Sequence, residues 1–243
     1  MLSSFVDLHC HLLSATDDGA KSDDEMYAML DASYADGVRH LCVTPHFHTE
    51  LWQGTPQKSD ISFEKLLAYA ARYPDLHLYR GNELLYQQNA TQELSAGHCR
   101  TLNGSRYVLV DFPARVSQFV LTHALQDLRC NGYTPVLAHV ERYVCLHRHL
   151  PTAESLVRDW GLLLQVNASS LFGEWGHAVR RQAKAILRRG LCAVIASDAH
   201  GMERRKPGLS SACALVTKML GEEDARRMFF EMPLAILENR RLL

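Results

Sequence analysis

His9, Cys10 and His11 follow the short apolar run Phe5-Val6-Asp7-Leu8, and side chains two apart on a strand share one face. A strand here brings Asp7, His9 and His11 toward one point, with the two imidazoles as metal ligands and the carboxylate behind them to orient a ring. A lone His-x-His pair fits structural histidines equally well, so the reading depends on what recurs downstream. His46 follows Val43-Thr44-Pro45, Glu83 ends the run 76–83, Asp111 follows Tyr107-Val108-Leu109-Val110, His139 follows Pro135-Val136-Leu137-Ala138, and Asp198 and His200 follow the run 191–197. With Asp18 the set is His9, His11, Asp18, His46, Glu83, Asp111, His139, Asp198 and His200, imidazoles and carboxylates without a thiolate. These are too many ligands for one ion. Two or three divalent ions sharing bridging carboxylates would use them, and mixed nitrogen and oxygen ligation suits manganese, iron or zinc better than a structural thiolate site.

The elements that must position these residues alternate along the chain. Strand-like runs at 5–9, 39–43, 76–83, 107–112, 134–138, 162–167 and 191–197 are interleaved with helical patterns at 23–37, 61–73, 116–130, 152–160, 177–189 and 208–220. Such alternation implies βα units with largely parallel strands. Ser22-Asp23-Asp24-Glu25 has capping-box spacing, Gly37 stands where the first helix should stop, and Gly190 stands between the helix 177–189 and the strand 191–197. Seven strands predict an α/β fold built as one domain over 1–243, a distorted (β/α)7 barrel with its metal site at the carboxyl ends of the strands. An open doubly wound sheet would not easily gather ligands from nearly every strand, and neither G-x-G-x-x-G nor G-x-x-x-x-G-K-[ST] occurs. Nucleotide cofactors are therefore disfavoured.

Composition narrows the function classes. Hydrophobic residues make up 47% of the 243 residues, but no run approaches the roughly 20 needed to cross a bilayer. The first residues lack the pattern of a secretory signal, which makes cytoplasmic residence the expectation and membrane insertion unexpected. A net charge of −1 gives no field to attract nucleic acid. The seven cysteines are scattered and never form C-x-x-C, a pattern of reduced, mostly packed thiols.

Taken in order, the motifs resemble the PHP (polymerase and histidinol phosphatase) superfamily, and most closely its bacterial protein-tyrosine-phosphatase branch associated with capsule and exopolysaccharide synthesis. Asp7-Leu8-His9-Cys10-His11 resembles the D-x-H-x-H opening, Asp17-Asp18-Gly19 the D-D-G that follows, and Ala35-Asp36-Gly37-Val38 through Thr44-Pro45-His46 the Q-G-[VI] to T-P-H block. Gly81-Asn82-Glu83 resembles G-x-E, Asp111-Phe112-Pro113 resembles E-F-P, His139-Val140-Glu141-Arg142 resembles H-P-E-R, and Ser197-Asp198-Ala199-His200 resembles S-D-x-H. The resemblance runs from residue 5 to about 205.

It implies a metal-dependent phosphatase that hydrolyses phosphotyrosine with a metal-activated water, using two or three divalent ions, manganese first among them. His9, His11, Glu83 and Asp198 would hold one ion, His46, Asp111 and His139 with bridging Glu83 a second, and Asp18, His46 and His200 a third. Arg142 and Arg205 match arginines that hold the substrate phosphate, with Arg204 as the adjacent alternative, a task suited to the guanidinium fork. The implied partner is a phosphotyrosine protein, the tail of a bacterial tyrosine kinase. Two departures matter. The family's Glu before Phe-Pro is Asp111 here, one methylene shorter, so reaching an ion takes a backbone shift or a water, and the Pro of H-P-E-R is Val140.

Competing readings can be named. His98-Cys99 and Arg106 imitate the H-C-x5-R loop of cysteine phosphatases, but six residues separate Cys99 from Arg106 and only one is glycine. The metal site alone would also serve a small-molecule phosphatase acting on histidinol phosphate or a sugar phosphate. A weakly catalytic regulatory binding protein would follow if Asp111 had disabled one ion, and a nuclease would need a basic track. Of the remaining motifs, His147 and His149 read as solvent-facing, as do His40, His48, His77, His98, His123 and His177. Arg180, Arg181, Lys184 and Arg188 read as a solvated helix face. The segment 48–59, with Trp52, Gly54 and Pro56, reads as a long loop beside the site.

Overall fold

The structure, a computed structural model, describes residues 2, 4–51, 56–147 and 150–242, without the side chain of His147. The chain runs β1 (Phe5–Cys10), α1 (Asp23–Ala35), β2 (Val38–Val43), β3 (His46–Phe47), α2 (Pro56–Ala70), β4 (His77–Arg80), β5 (Glu83–Leu85) and α3 (Ala90–Ser95). It continues through β6 (Tyr107–Asp111), α4 (Gln118–Cys130), β7 (Thr134–Leu137), α5 (Val144–His147), α6 (Leu150–Arg158), β8 (Leu163–Asn167), α7 (His177–Arg188) and β9 (Cys192–Ala196). Three helices end it: α8 (Ser210–Leu220), α9 (Glu222–Arg226) and α10 (Met232–Leu237).

All strand pairings are parallel. They fall into a three-stranded sheet, β1-β2-β4, and a six-stranded sheet, β3-β5-β6-β7-β8-β9. Helices and turns between successive strands follow from the alternation in the sequence, and their ends are set locally. The Ser22 hydroxyl accepts from Glu25 N at 3.2 Å to start α1, and the Ser117 hydroxyl accepts from Val120 N at 3.2 Å to start α4. Gly37, at φ 103°, turns the chain from α1 into β2.

Among the described residues nine strand segments stand where seven were expected, because the run 76–83 bends into two and a further short strand, β3, follows the expected run 39–43 after a bend. Thr44-Pro45 separates β2 from β3, and Gly81-Asn82 separates β4 from β5, so the expected strand 76–83 is two pieces. The neighbours stay in register across the break, with Gly81 N donating to Val43 O at 2.9 Å and Glu83 N to Pro45 O at 3.1 Å. A Cβ on Gly81 would meet Leu102 Cδ2 at 3.0 Å and Cys42 Sγ at 3.3 Å, so a glycine is what lets the bend pack. The bend aims His46 and Glu83 at the same point. On the far side, Asp198 N donates to His9 O and His11 N to Ala199 O, both at 2.8 Å, which joins the end of β1 to the segment after β9.

Two apolar layers support this frame. One lies between strands and helices. The other gathers Val6, Leu8, Leu109, Val136, Val194 and Ala196 with Ile236 and Leu237 of α10. Helices α3, α5, α9 and α10 have no counterpart in the expected elements, and α2 begins at Pro56 inside the segment read as loop. Trp52, Gly54 and His149 lie outside the described residues. Among the described residues no helix is long and apolar enough to cross a membrane. Leu109 is fully buried in the second layer, so Leu109→Ala is expected to cost about 3 kcal/mol. At this chain length that lowers Tm by roughly 6–12 °C, which thermal unfolding would read.

Candidate metal centre

Each expected ligand sits where a strand ends. His9 and His11 leave β1, His46 opens β3, Glu83 opens β5, Asp111 ends β6, His139 follows β7, and Asp198 and His200 follow β9. Only Asp18 comes from a loop, between β1 and α1. Two of these residues have left-handed backbones without being glycine: His139 at φ 31° and Asp198 at φ 53°. Such strain costs on the order of 1–3 kcal/mol each and persists where surroundings over-determine it. Here His139 N donates to Gln165 Oε1 at 2.8 Å and Asp198 N to His9 O at 2.8 Å.

Glu83 is the hub. Its Oε2 lies 3.3 Å from both His9 Nε2 and His11 Nε2 and 2.9 Å from His46 Nδ1, while Oε1 lies 2.8 Å from His139 Nε2. Asp198 Oδ1 lies 3.3 Å from His9 Nε2 and 3.6 Å from His11 Nε2. Asp18 Oδ1 stands between His46 Nε2 at 3.4 Å and His200 Nε2 at 3.3 Å. Three groups of donor atoms are close enough to share a cation: His9, His11 and Glu83; Glu83, Asp111 and His139; and His11, Asp18, His46 and His200. His46 falls in the group with Asp18 and His200, while its Nδ1 also lies 2.9 Å from Oε2 of Glu83, the residue that links the first two groups.

The donor set suits divalent cations. Glu83 Oε2 and Asp198 Oδ1 are buried and receive no hydrogen bond, an arrangement that leaves hard oxygen lone pairs directed at the gap between the imidazoles. Charge balance points the same way. Burial alone would lower the pKa of His9, yet the carboxylates of Glu83 and Asp198 hold it at about 9. Burial opposes charge on His46 as well, but Asp18 and Glu83 raise it to about 11. Against burial, His9 and the surrounding imidazoles keep Glu83 far below the usual carboxylate range, and His9, Arg142 and Arg205 do the same for Asp198. Burial and the charge of His11 push His200 down to about 4, a neutral imidazole at physiological pH.

The carboxylates that would draw a cation thus also favour a proton on His9. Because the raised His9 stays protonated below about pH 9, a cation must displace that proton. Apparent affinity for Mn²⁺ is expected to rise as pH goes from 6 to 9. Calorimetry in buffers of different ionisation enthalpy would register the protons released.

Asp7 does not orient an imidazole as expected. Its Oδ1 accepts from Ser197 N at 3.0 Å and His9 N at 3.4 Å, bracing β1 against the segment after β9. The ring of His9 is held instead by Gln165, whose Oε1 lies 3.1 Å from Nδ1, and that of His11 by Asp17, whose Oδ2 lies 2.6 Å from Nδ1. Each leaves Nε2 facing the centre, and the two Nε2 atoms are 3.1 Å apart. Asn167 donates to Asp198 Oδ2. Gln165 and Asn167 were missed in the sequence, although amides two apart inside the apolar run 162–167 mark one face of a strand end. Asp111 accepts from Phe112 N at 2.6 Å and from Tyr143 at 2.9 Å, with Oδ1 3.7 Å from His139 Nε2. Burial raises its pKa.

Two guanidinium groups border the centre. Arg142 Nη2 donates to Asp198 Oδ2 at 2.7 Å, and Arg205 Nη2 lies 2.6 Å from the same oxygen. Arg205 rather than the exposed Arg204 makes this contact. The cysteine alternative fails on geometry: Cys99 is buried, and burial pushes its thiol well above the ordinary range, opposite to what a nucleophilic thiolate needs. His98, His123 and His177 are exposed, as expected, and His48 Nδ1 accepts from Glu50 N and Leu51 N.

The whole chain has close counterparts. It is 31% identical over 241 residues to the tyrosine-protein phosphatase CpsB of Streptococcus pneumoniae, covering 97% of this chain and 99% of that protein. It is 27% identical over 239 residues to the tyrosine-protein phosphatase YwqE of Bacillus subtilis, covering 98% and 91%. Among solved structures, those of YwqE from B. subtilis and CpsB from S. pneumoniae, described as metal-dependent tyrosine phosphatases, superpose with a TM-score of 0.89 at 27% identity over 98% of this chain and 96% of that one. A phosphotriesterase homology protein from Escherichia coli shares the fold alone, at a TM-score of 0.58 and 11% identity. Residues 5–238 match the family of capsular polysaccharide synthesis proteins CpsB/CapC, and with a polar centre and flanking arginines at the strand ends the chain belongs to that family.

Proposed function

We propose that this protein is a metal-dependent protein-tyrosine phosphatase that hydrolyses phosphotyrosine in proteins and acts in capsule or exopolysaccharide synthesis. The observation that carries the reading is the convergence of His9, His11, Asp18, His46, Glu83, Asp111, His139, Asp198 and His200 on one centre bordered by Arg142 and Arg205. The residues divide the work. The imidazoles and carboxylates would hold two or three divalent ions, with manganese the first candidate, Glu83 shared between ions and Asp198 joining the ions to the arginines. Bound there, the ions supply a nucleophilic water at neutral pH and positive charge for the phosphoryl oxygens. Arg142 and Arg205, both already turned on one oxygen of Asp198, present two guanidinium forks to the remaining phosphoryl oxygens and fix the ester for in-line displacement.

The same proposal takes residues 1–243 as one metallophosphoesterase domain in the cytoplasm, and the seven strand runs as a distorted barrel. The two hydrogen bonds between the ends of β1 and β9, and those across the two bends, support closure. The proposed substrate is the phosphorylated tail of a tyrosine kinase.

Metal-stripped protein assayed on a phosphotyrosine peptide before and after Mn²⁺ tests the proposal, with Cys99→Ser and His139→Ala alongside. Activity is expected to return with metal, persist in the Cys99 variant and vanish in the His139 variant. Turnover of a sugar phosphate but not of the peptide would move the assignment to a small-molecule phosphatase, and silence on both would overturn it.

A further inference from the structure

Beside the arginines lies a feature that neither metal binding nor phosphate binding uses. After β8 the chain forms a short segment, Phe172-Gly173-Glu174-Trp175-Gly176, before α7. Gly173 and Gly176 are left-handed at φ 94° and 89°, and Gly176 N donates to Gly173 O at 2.9 Å. The two glycines therefore fold the segment into a tight turn that side chains at those positions would strain. At its tip Trp175 is 41% exposed, an unusual setting for so large an apolar surface. Its ring is not idle. The Arg142 guanidinium carbon sits 3.8 Å from the indole centroid, and that of Arg205 sits 5.5 Å away.

Arg142 is thus clamped between the indole and Asp198. Stacking against a ring fixes the plane of a guanidinium, and that plane decides whether two parallel N–H groups can meet a phosphate. Trp175 also lines a cavity of about 480 Å³ together with Glu174, Glu203, Arg204, Arg205 and Lys206. The cavity therefore shares Arg205 with the centre, since that side chain also contacts Asp198. A phosphate held by Arg142 and Arg205 has this space next to it for its ester substituent.

We infer that Trp175 is a specificity-determining residue whose exposed indole surface receives the phenyl ring of the substrate's leaving group, while its other face keeps Arg142 in plane. The inference rests on the phosphatase reading and deepens it, since it assigns aryl over alkyl selectivity to one side chain. Stacked or edge-on aromatic contacts of this kind carry a moderate gain. Glu174, Glu203, Arg204 and Lys206 then face the peptide on either side of the phosphotyrosine.

The test uses phenylphosphonate and methylphosphonate, which share the anion and differ in the ring. In a Trp52→Phe/Trp160→Phe background Trp175 is the single tryptophan, and phenylphosphonate is expected to change its fluorescence while methylphosphonate leaves it nearly unchanged. Because Trp175→Ala also frees Arg142, both phosphonates should weaken, phenylphosphonate by about 3–10-fold more than methylphosphonate. With peptides, Trp175→Ala should lower turnover of phosphotyrosine by about 3–10-fold more than turnover of phosphoserine, and Trp175→Phe should recover most of that selectivity. An equal loss for both phosphonates would mean that Trp175 acts through Arg142 alone and would overturn the aryl subsite, as would no loss for either. If the wild type discriminates between the phosphonates through Trp175 but hydrolyses neither peptide, the subsite stands and the phosphatase reading falls.

Discussion

Replacing Glu83 with Gln will abolish metal-dependent turnover while leaving a folded protein. The side chain is fully buried, and its two oxygens meet four imidazoles, from His9, His11, His46 and His139, at 2.8–3.3 Å. Gln keeps the shape but removes the negative charge, and an amide offers one oxygen where a carboxylate offers two. The charge lost is the one that lets two cations sit close together, so at least one ion should be lost from the stoichiometry. Several kcal/mol of electrostatic stabilisation at the reacting phosphoryl group go with it, on the order of 10³-fold or more in kcat/KM at about 1.4 kcal/mol per decade. Elemental analysis of the purified variant and a Mn²⁺ titration measure the two effects separately. If Glu83→Gln retained full metal content and more than a tenth of the wild-type rate, Glu83 would not be the shared ligand. The variant should also lower the pKa of His9, because Glu83 is the first carboxylate opposing its desolvation. Metal binding in the variant should consequently release fewer protons at pH 8.

Removing the arginines should give a different pattern. Arg142→Ala and Arg205→Ala are each expected to lower kcat/KM by about 10²–10³-fold, as loss of a preorganised charge donor at a transition state does. Metal content should be unchanged. Both guanidinium groups converge on Asp198 Oδ2, at 2.7 and 2.6 Å, so they act as a unit, and the double variant should lose much less than the product of the single losses. Inhibition by inorganic phosphate, measured with metal in excess, separates this pattern from the Glu83 effect: it weakens in the arginine variants because the clamp is gone. Lys at either position should recover little, since an ammonium is a point charge and cannot match the phosphate with two parallel bonds. Substituting the neighbouring Arg204, exposed and one residue away, should change the rate by no more than a few-fold. Equal losses at Arg204 and Arg205 would refute the placement of the clamp.

These effects depend on information of two kinds. Local physics writes the first kind directly into the chain. Apolar runs of strand length alternate with capped helices, and the polar residue at each run's exit is visible without knowing what it meets. That suffices for the parallel α/β order, for which polar residues from His9 to His200 gather at the strand ends, and for dismissing Cys99 on spacing. The bends at Thr44-Pro45 and Gly81-Asn82 left a trace in glycine and proline, yet their consequence, splitting 76–83 and making His46 part of a strand, depends on a neighbour that bends at the same level. The terminal helix α10 was missed because its apolar residues Ile236 and Leu237 serve an inner layer shared with Val6, Leu8 and Leu109, which lie far away in sequence.

Tertiary structure alone decided the second kind. Period-two spacing put Asp7 on the face of His9 and His11, but the approach of Ser197 captured its carboxylate, and Gln165, 156 residues from His9, took the ring instead. That His46 stands beside Asp18 and His200 turned on which loop returns next to it. Arg205 and Arg204 are indistinguishable in sequence, and a left-handed backbone at Arg205, φ 53°, turns one of them inward. Trp175 carries no motif at all. Strand ends are fixed by short-range patterning, and so the sequence by itself determined which residues reach the carboxyl face of the sheet. Which atoms meet there depends on backbone directions summed over the whole chain, and only the folded structure decides them.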